Sequence, residues 1–391
     1  MNILLTGIDG YVGWPTALRL SKVFPNAQIT GIDNLGRRKW VEECGSVSAI
    51  PIYDMNTRIQ TAKKHGFGNI HFVEGDLVDR SFVYDLLKQY RPAVILHLAS
   101  QPSAPYSQLS GEKANYTQHN NNQATRNLLW GMKEMGLPET HFIETTTTGV
   151  YGAPEFPIPE GFLEVNYKGG KDTIPFPGLG GSWYHISKCH DVSNLLLANK
   201  QWKFSISDIR TSIVFGTETE ETSLDPQLAT RFDFDFYFGV VVNRFCAMAL
   251  AGYPITIYGK GDQKKPQISL EDAVQSLVHA VKLPANHRME VYNQTTDVIS
   301  IGRIAELICE YGKEMGVAAE VIHIPNPRVE KEEHEMEMEN AKFLKLLGEI
   351  RMPLEEGIRQ TLKSLLPYRG VFIQHKECFI EKQFLKEKVG R

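Results

Sequence analysis

Short apolar runs alternate with longer amphipathic segments along the first half of the chain. Continuous apolar runs of four to seven residues are typical of strands buried on both faces, and longer segments with helical periodicity are typical of covering helices. The predicted strands are 2–6, 28–32, 69–73, 93–99, 142–147 and 204–209, and the main predicted helices are 11–23, 115–135 and 184–199. This alternation predicts an α/β fold with a doubly wound parallel sheet, whose ligands bind at the carboxyl ends of the strands.

Three parts of the chain break this rhythm. Residues 34–68 form a long insertion between the second and third strands, and residues 152–182, rich in Pro and Gly, predict a loop over the active site. Beyond residue 216 helices mix with short strands, such as 255–258. We therefore predict a large domain over 1–216 and a smaller, mixed α/β substrate domain over 217–391, with the two interleaved.

A glycine-rich turn follows the first strand. Gly7, Gly10 and Gly13 are spaced three apart at the start of a predicted helix. Gly7 permits a tight turn, Gly10 lets a pyrophosphate approach the backbone, and Gly13 lets the helix pack closely on the strand. The backbone at Tyr11 and Val12 forms the helix N-terminus, whose N–H groups attract phosphates. The pattern predicts a dinucleotide site in a Rossmann-type domain over the first 216 residues.

The second strand ends at an acidic residue that indicates which dinucleotide binds. Asp33 lies about 20 residues after the last glycine, where a carboxylate accepts from the ribose 2′-hydroxyl and repels a 2′-phosphate. NAD is therefore favoured over NADP. Arg37 and Arg38 leave NADP open, because arginines in this loop can hold the phosphate; alternatively they contact a sugar nucleotide or solvent. Other cofactor contacts are expected at strand ends, namely Asp76, Leu77 and Leu98.

A tyrosine and a lysine four positions apart supply candidate chemistry. Tyr184 and Lys188 share one face of a predicted helix. A tyrosine of pKa about 10 acts as a base near neutrality only after a shift of roughly 3 units, about 4 kcal/mol, which a nearby ammonium and a cationic nicotinamide favour. Lys188 can also bond the nicotinamide ribose. Thr147 ends a strand, where its hydroxyl can bond the substrate hydroxyl that Tyr184 deprotonates. His185 is either a second acid/base or an ordinary packed or solvent-facing histidine.

Composition excludes several classes of function. The chain has 391 residues, 42% of them hydrophobic and 23% charged, with a net charge of −4. This balance is typical of a globular protein and gives no reason to expect nucleic acid. No run approaches 18 apolar residues, so no membrane span is expected. Because the first strand begins at residue 2, we expect no leader. The five cysteines lack metal-ligand spacing, and we expect reduced thiols, no metal site and a cytoplasmic protein.

The sequence resembles the extended short-chain dehydrogenase/reductase family, which acts on nucleotide sugars, over almost the whole chain. Within that family it is most similar to the branch of UDP-sulfoquinovose synthases. The supporting segments are 33–38, 103–107, 116–121, 184–188, 243–245, 258–261 and 325–334. The resemblance implies cofactor contacts at Asn34, Arg37 and Asn121. It also implies a homodimer, in which helices 115–135 and 184–199 pair across a four-helix interface.

The resemblance implies a reaction on UDP-glucose. NAD⁺ oxidises C4 with Tyr184 as base, water leaves from C6, sulfite adds to the resulting enone, and NADH reduces C4 again. The implied substrate residues, besides Thr147 and Tyr184, are Gln101, Ser103, Asn243, Lys260, Gln263 and Arg328. Arg328 is the expected diphosphate clamp, because a guanidinium matches phosphate geometry and stays charged. The alternative for Arg328 is a surface ion pair with the acidic residues of 330–333.

The chain departs from this branch at two positions. Val150 stands where the branch has a glutamate, and Thr148 and Gly149 replace the Asp-Glu pair of sugar 4,6-dehydratases. Expulsion of the C6 hydroxyl needs an acid, for which His185 is the remaining candidate. Pro102 stands where the branch tends to have an arginine, which removes one group that would attract sulfite.

Two other functions stay open. The Thr-rich strand end is also compatible with a UDP-hexose 4-epimerase, which needs no acid at C6. A non-catalytic NAD-sensing or scaffold protein is a third reading, against which the intact set of Thr147, Tyr184 and Lys188 argues.

Overall fold

The computed structural model describes residues 1–176, 178–325 and 336–381. Its strands, in chain order, are β1 Asn2–Thr6, β2 Gln28–Asp33, β3 Ile70–Glu74, β4 Val94–His97, β5 His141–Thr147, β6 Phe162–Tyr167, β7 Gly170–Pro175, β8 Ser205–Thr211, β9 Ile213–Phe215, β10 Ile255–Tyr258, β11 Lys264–Ser269, β12 Met289–Gln294, β13 Asp297–Ser300 and β14 Val321–Ile324. Its helices are α1 Gly13–Val23, α2 Gly36–Glu43, α3 Met55–Lys64, α4 Arg80–Tyr90, α5 Gly111–Glu134, α6 Trp183–Trp202, α7 Val241–Ala251, α8 Leu270–Val281, α9 Ile301–Glu314, α10 Ala341–Leu347, α11 Leu354–Leu365 and α12 Arg369–Gln374.

Seven strands form one parallel sheet in the order β3-β2-β1-β4-β5-β8-β12. Both faces are buried, as the apolar runs predict: Ile3 and Leu5 pack into one core, while Leu4, between them, packs into the core on the opposite face. Successive side chains of a strand point to opposite faces, so an uninterrupted apolar run is what a doubly covered sheet requires. The prediction of a Rossmann-type doubly wound sheet is confirmed.

A second, smaller assembly lies beyond the large sheet. It contains the parallel pair β10 and β14, the three-stranded sheet β13-β11-β9, and an apolar core to which α7, α9 and α11 contribute. Strand β12 nevertheless belongs to the large sheet, so the second half of the chain also contributes a strand to the sheet that the first half mainly forms. The division at residue 216 remains a prediction. None of the described helices is long and apolar enough to span a membrane.

The structure corrects the prediction for residues 152–182. In place of a continuous loop, β6 and β7 pair as an antiparallel hairpin, with Phe162 opposite Pro175 and Tyr167 opposite Gly170. Every residue of β7 is exposed, so the segment lacks the apolar alternation by which strands are recognised. The insertion at 34–68 contains the two helices α2 and α3.

Candidate active site

A cavity of about 1260 Å³ lies at the carboxyl ends of the parallel strands. It extends from the glycine turn after β1, past the ends of β4 and β5, to the segment 236–241 and the end of β12. Sites for single small molecules span roughly 300–1,000 Å³. The cavity is therefore large enough for a dinucleotide with a second ligand beside it.

The glycine turn has the geometry that a dinucleotide requires. Gly7 has a positive φ of 78°, which glycine adopts without strain. A Cβ on Gly13 would lie 1.9 Å from the carbonyl oxygen of Gly7, so only glycine lets α1 approach the turn so closely. Gly10 lines the cavity, and a Cβ there would lie 3.0 Å from the same oxygen. The residues present thus fit a pyrophosphate at the N-terminus of α1.

Asp33 lines the cavity at the end of β2. Its carboxylate accepts from the backbone N–H groups of Asp9 at 2.9 Å and of Leu35 at 2.8 Å, which fixes its orientation. Burial and the charge of Asp9 raise the pKa of Asp33 to about 6, so the group is ionised at neutral pH. An oriented carboxylate at this position suits a ribose hydroxyl and repels a 2′-phosphate.

Both arginines that follow β2 lie on α2 and form ion pairs with protein carboxylates. Nη2 of Arg37 lies 2.7 Å from Oδ2 of Asp233, and its guanidinium stacks 4.1 Å from the Phe238 ring centroid. Nη2 of Arg38 lies 2.7 Å from Oδ1 of Asp9. Since both guanidinium groups already have carboxylate partners, neither arginine supports binding of NADP. The site therefore favours NAD.

Most of the predicted cofactor residues lie on the cavity wall. These are Gly7, Gly10, Tyr11, Val12, Gly13, Asp33, Asn34, Arg37, Asp76, Leu77, Leu98 and Tyr184. Asn121 is used differently: its amide bonds both backbone groups of Gln101, at 2.8 and 3.1 Å, and the Ser187 hydroxyl at 2.9 Å. Asn121 therefore ties the loop after β4 to α6, and it does not line the cavity.

Tyr184 and Thr147 meet on the cavity wall. Thr147 ends β5, and Tyr184 lies in the first turn of α6, which Ser182 caps by accepting from the His185 N–H at 3.2 Å. The Thr147 side chain lies next to the Tyr184 hydroxyl and acts on its pKa. Burial raises the pKa of Tyr184, while the charge of Lys188 and the interaction with Thr147 lower it. Lys188 lowers the pKa of Tyr184, as the sequence predicts, but in the protein alone burial raises this pKa by more.

Lys188 lies beneath this pair with a side chain only 3% exposed. Its Nζ is 3.2 Å from Oε1 of Glu144 and 3.5 Å from Oδ2 of Asp191. Burial lowers the pKa of Lys188, but the two carboxyl groups outweigh burial and raise it above its ordinary value. The lysine is therefore held as an ammonium next to Tyr184.

His185 lines the cavity directly over Gly149. A Cβ on Gly149 would lie 2.3 Å from Cδ2 and 2.4 Å from Nε2 of His185, so the imidazole fills the space of the missing side chain. Nδ1 of His185 lies 3.0 Å from Oγ of Ser182, which orients the ring. Val150, by contrast, is buried in an apolar cluster with Tyr151.

The predicted substrate residues divide into three groups. Ser103 and Gln263 line the cavity, and Oε1 of Gln263 has no hydrogen-bond partner within the described ranges. Gln101 and Asn243 are buried behind the wall, where Asn243 accepts from the Gly216 N–H at 3.1 Å. The side chain of Lys260 is exposed outside the cavity wall, and Arg328 lies outside the described residues.

Sequence reasoning missed the polar residues on the strands beside β5. Thr147 pairs with Thr211 on β8, which pairs in turn with Gln294 on β12, so the three form a row at the sheet edge. Among the described residues, Oε1 of Gln294 and Oγ of the neighbouring Ser212 have no partner, and both residues line the cavity. A predicted strand that continued two residues beyond 209 would have placed Thr211 at this edge.

The prediction that the chain binds no metal stays a prediction. Within the described part of the chain, His375, Glu377 and Cys378 have potential ligand atoms within 4.8 Å of one another. The five cysteines, which all lie in the described part of the chain, form no disulfides.

Comparisons with known proteins agree with this site. Residues 3–294 match the model of the NAD dependent epimerase/dehydratase family. The chain is 40% identical to a UDP-sulfoquinovose synthase of Sulfolobus acidocaldarius, over 98% of this chain and 97% of that protein. It is 38% identical to the chloroplastic UDP-sulfoquinovose synthase of Spinacia oleracea, over 98% of this chain and 78% of that protein.

Solved structures share the fold at low sequence identity. UDP-glucuronic acid 4-epimerase from Bacillus cereus, crystallised with UDP-glucuronic acid and NAD, superposes with a TM-score of 0.69 at 20% identity, covering 95% of this chain and 99% of that chain. UDP-glucose 4-epimerase from Thermotoga maritima, crystallised with UDP-glucose, gives 0.67 at 21% identity over 93% and 98%. The glycine turn, the Tyr184–Lys188 pair and the match over residues 3–294 together show that this chain belongs to the NAD-dependent epimerase/dehydratase family.

Proposed function

We propose that this enzyme converts UDP-glucose and sulfite to UDP-sulfoquinovose with NAD as a recycled cofactor. The observation that carries the proposal is the similarity to two UDP-sulfoquinovose synthases over 98% of the chain. The geometry supports it further, because Thr147 and Tyr184, which can bind and deprotonate a substrate hydroxyl, lie next to an imidazole in one cavity.

The first step is oxidation of the sugar at C4. NAD⁺ held at the glycine turn would supply the acceptor for the C4 hydride and would return that hydride in the last step. Tyr184 takes the proton of the C4 hydroxyl, while Thr147, oriented by the Gly149 N–H at 3.1 Å, holds the same oxygen. The Lys188 ammonium stabilises the tyrosinate that this transfer needs.

The next steps exchange the C6 hydroxyl for sulfite. The 4-ketone acidifies the C5 hydrogen, and loss of that proton and of the C6 hydroxyl forms a 5,6-ene and water. We assign the proton transfers at C5 and C6 to His185, because its imidazole fills the volume beside Gly149 and Val150 is buried elsewhere. The sulfite sulfur then bonds to C6, and C5 regains a proton. Tyr184 returns its proton to O4 when C4 is reduced, a step for which bound NADH would supply the hydride.

Cationic and polar side chains line the part of the cavity that we assign to the UDP group. They are Arg244, Lys265 and Gln263, and we assign the diphosphate to them. Arg328 remains a proposed additional clamp. We also propose a cytoplasmic location, consistent with five free thiols.

We further propose a homodimer formed through α5 and α6. Each of these packed helices carries a large apolar side chain that is about half exposed, Trp130 at 50% and Leu197 at 53%. Burial of such side chains against a second copy would favour an interface.

The test is incubation with UDP-glucose, NAD⁺ and sulfite, followed by mass spectrometry. We expect a sulfonated UDP-sugar without net consumption of NAD⁺. Formation of UDP-galactose alone, with sulfite inert, contradicts the proposal. The matched control is Tyr184→Phe, which should lower turnover by about a hundredfold or more while NAD binding persists.

One observation favours a second candidate, a UDP-hexose 4-epimerase. No carboxyl group stands at positions 149 or 150, and Pro102 lines the cavity where a cation would attract sulfite. An epimerase needs only the C4 redox step and rotation of the 4-keto sugar. The same incubation separates the two, because only the synthase consumes sulfite.

A further inference from the structure

A chain of buried hydrogen bonds leads from the glycine turn to Lys188. The Ala99 N–H donates to the Thr6 hydroxyl at 3.2 Å, and Oγ1 of Thr6 lies 2.7 Å from Nδ1 of His97. Nε2 of His97 lies 3.3 Å from Oγ1 of Thr125. The Thr125 hydroxyl in turn donates to Oε1 of Glu144 at 3.4 Å. The chain of contacts thus ends on Glu144.

One oxygen of Glu144 accepts both the last hydrogen bond of this chain and a hydrogen bond from Lys188. Its Oε1 accepts from Thr125 and from Nζ of Lys188, the latter at 3.2 Å. Its Oε2 has no hydrogen-bond partner within the described residues, and the residue is 0% exposed. A buried anionic oxygen without a partner costs far more free energy than a neutral O–H group in the same place. The pattern is that of a carboxylic acid with Oε1 as carbonyl and the proton on Oε2.

The charges around Glu144 lead to the same protonation state. From α6 it faces Lys188, Asp191 and Tyr184, from β8 it faces Asp208, and on β4 its neighbour across the strand pair is His97. Asp208 is paired with Arg210 at 3.0 Å, Lys188 is paired with Asp191 at 3.5 Å, and burial keeps His97 neutral by lowering its pKa to about 3. Two cations, Lys188 and Arg210, thus face three carboxyl groups, those of Glu144, Asp191 and Asp208, so ionisation of all three would leave one uncompensated negative charge in the core.

We propose that Glu144 is a positioning residue which, as a neutral carboxylic acid, holds the Lys188 ammonium under Tyr184 without cancelling its charge. An anion at Glu144 would give Lys188 two counter-ions and oppose formation of the Tyr184 phenolate. The neutral acid orients Nζ through Oε1 and leaves Asp191 as the counter-ion. Burial and the charge of Asp191 do raise the pKa of Glu144 well above its usual value.

The inference rests on the proposed C4 oxidation, so its test uses that half-reaction and a second signal that needs no substrate. The half-reaction is formation of enzyme-bound NADH from UDP-glucose without sulfite, followed over pH. Glu144→Gln keeps the carbonyl oxygen and replaces the O–H by an N–H donor. We expect its rate to change by less than about threefold and the acid limb of its pH profile to stay in place. Glu144→Leu removes the acceptor, and we expect kcat to fall roughly tenfold to a hundredfold with KM nearly unchanged.

Two outcomes of the kinetic arm overturn the proposal. An acid limb in Glu144→Gln that moves down by about one pH unit means that Glu144 is ionised in the wild-type enzyme. Wild-type kcat in Glu144→Leu means that Lys188 does not depend on it.

The second signal is infrared absorption of the wild-type protein minus Glu144→Gln at neutral pH. We expect the carbonyl stretch of a protonated carboxylic acid, sensitive to D₂O, and a carboxylate band in its place overturns the proposal. If wild-type enzyme forms no NADH with UDP-glucose, the proposed function fails, and this spectrum still decides the state of Glu144.

Discussion

At the scale of single residues, Gly149 controls the candidate acid. The His185 ring occupies the volume that a side chain at position 149 would need, and the Gly149 N–H orients Thr147. The absence of a Cβ at position 149 therefore lets the His185 imidazole lie close to Thr147 and Tyr184, the two residues assigned to the C4 hydroxyl. The backbone at Gly149 does not have a positive φ, so the requirement for glycine is spatial.

We predict that Gly149→Ala separates the two halves of the reaction. The added Cβ displaces the His185 ring, so sulfonation should fall roughly tenfold to a hundredfold, while C4 oxidation by Tyr184 changes little. The measurement is product formation with sulfite beside NADH formation without it. Gly178→Ala, where a Cβ meets nothing within 4 Å, is the control. Wild-type sulfonation by Gly149→Ala would remove His185 from its assigned role.

Residues within local motifs were predictable, and residues defined by tertiary contacts were not. Tyr184 and Thr147 follow from a helix spacing and a strand end, and both line the cavity. Glu144 precedes Thr147 by three positions on the same strand, yet nothing local shows that it contacts Lys188 on α6. Asn121 carries a side chain suited to ligands, but its partners Gln101 and Ser187 consume its hydrogen-bonding groups.

At the scale of elements, the insertion helices stabilise the glycine turn. Arg38 of α2 and Arg58 of α3 both bind Asp9, at 2.7 and 2.8 Å. Arg58 is fully buried, and its guanidinium lies 4.2 Å from the ring centroid of Trp14 on α1. Asp9 in turn orients Asp33 through its N–H. The two insertion helices thus influence the orientation of Asp33 in the cofactor site through their shared partner, Asp9.

We predict that Arg58→Met destabilises the protein by about 3 kcal/mol, because it leaves the buried Asp9 with one partner in place of two. Denaturant unfolding measures this loss, and NAD titration should show weaker binding. The double variant with Asp9→Asn should recover part of the stability, since it removes the charge left behind. Arg80→Met, which breaks an exposed pair with Glu134, should leave stability nearly unchanged. Equal effects of the two arginine substitutions would contradict the argument.

Elements were predictable where burial was two-sided. The bounds predicted for β1 and β10 match those observed, because each is an apolar run that ends at a polar or glycine-containing turn. Strand β12 begins with Met289 and Glu290 and ends in Tyr, Asn and Gln, so its sequence carries no strong strand signal. Pairing with β8 forms it all the same.

At the scale of the whole molecule, the proposed dimer is set by the face shared by α5 and α6. We predict that Leu197→Glu converts a dimer to a monomer, because a charge buried in the proposed interface must be desolvated. Analytical ultracentrifugation provides the measurement, and NAD affinity should persist in the monomer. Ile350→Glu, at an exposed apolar residue outside these helices, should stay dimeric. A monomeric wild-type protein would rule the interface out.

The position of β12 has a consequence for the order in which the molecule is completed. Strand β8 ends at Thr211, and the strand that covers its outer edge ends at Gln294. On a ribosome adding about 5–20 residues per second, the proposed catalytic residues Tyr184 and Lys188 are synthesised several seconds before that edge is closed. During that time β8 is an open edge, which is a template for unwanted pairing. Gln294, the last residue of the row that it forms with Thr147 and Thr211, is synthesised at the end of β12. Pairing of β12 with β8 therefore closes the open edge and completes this row in one step.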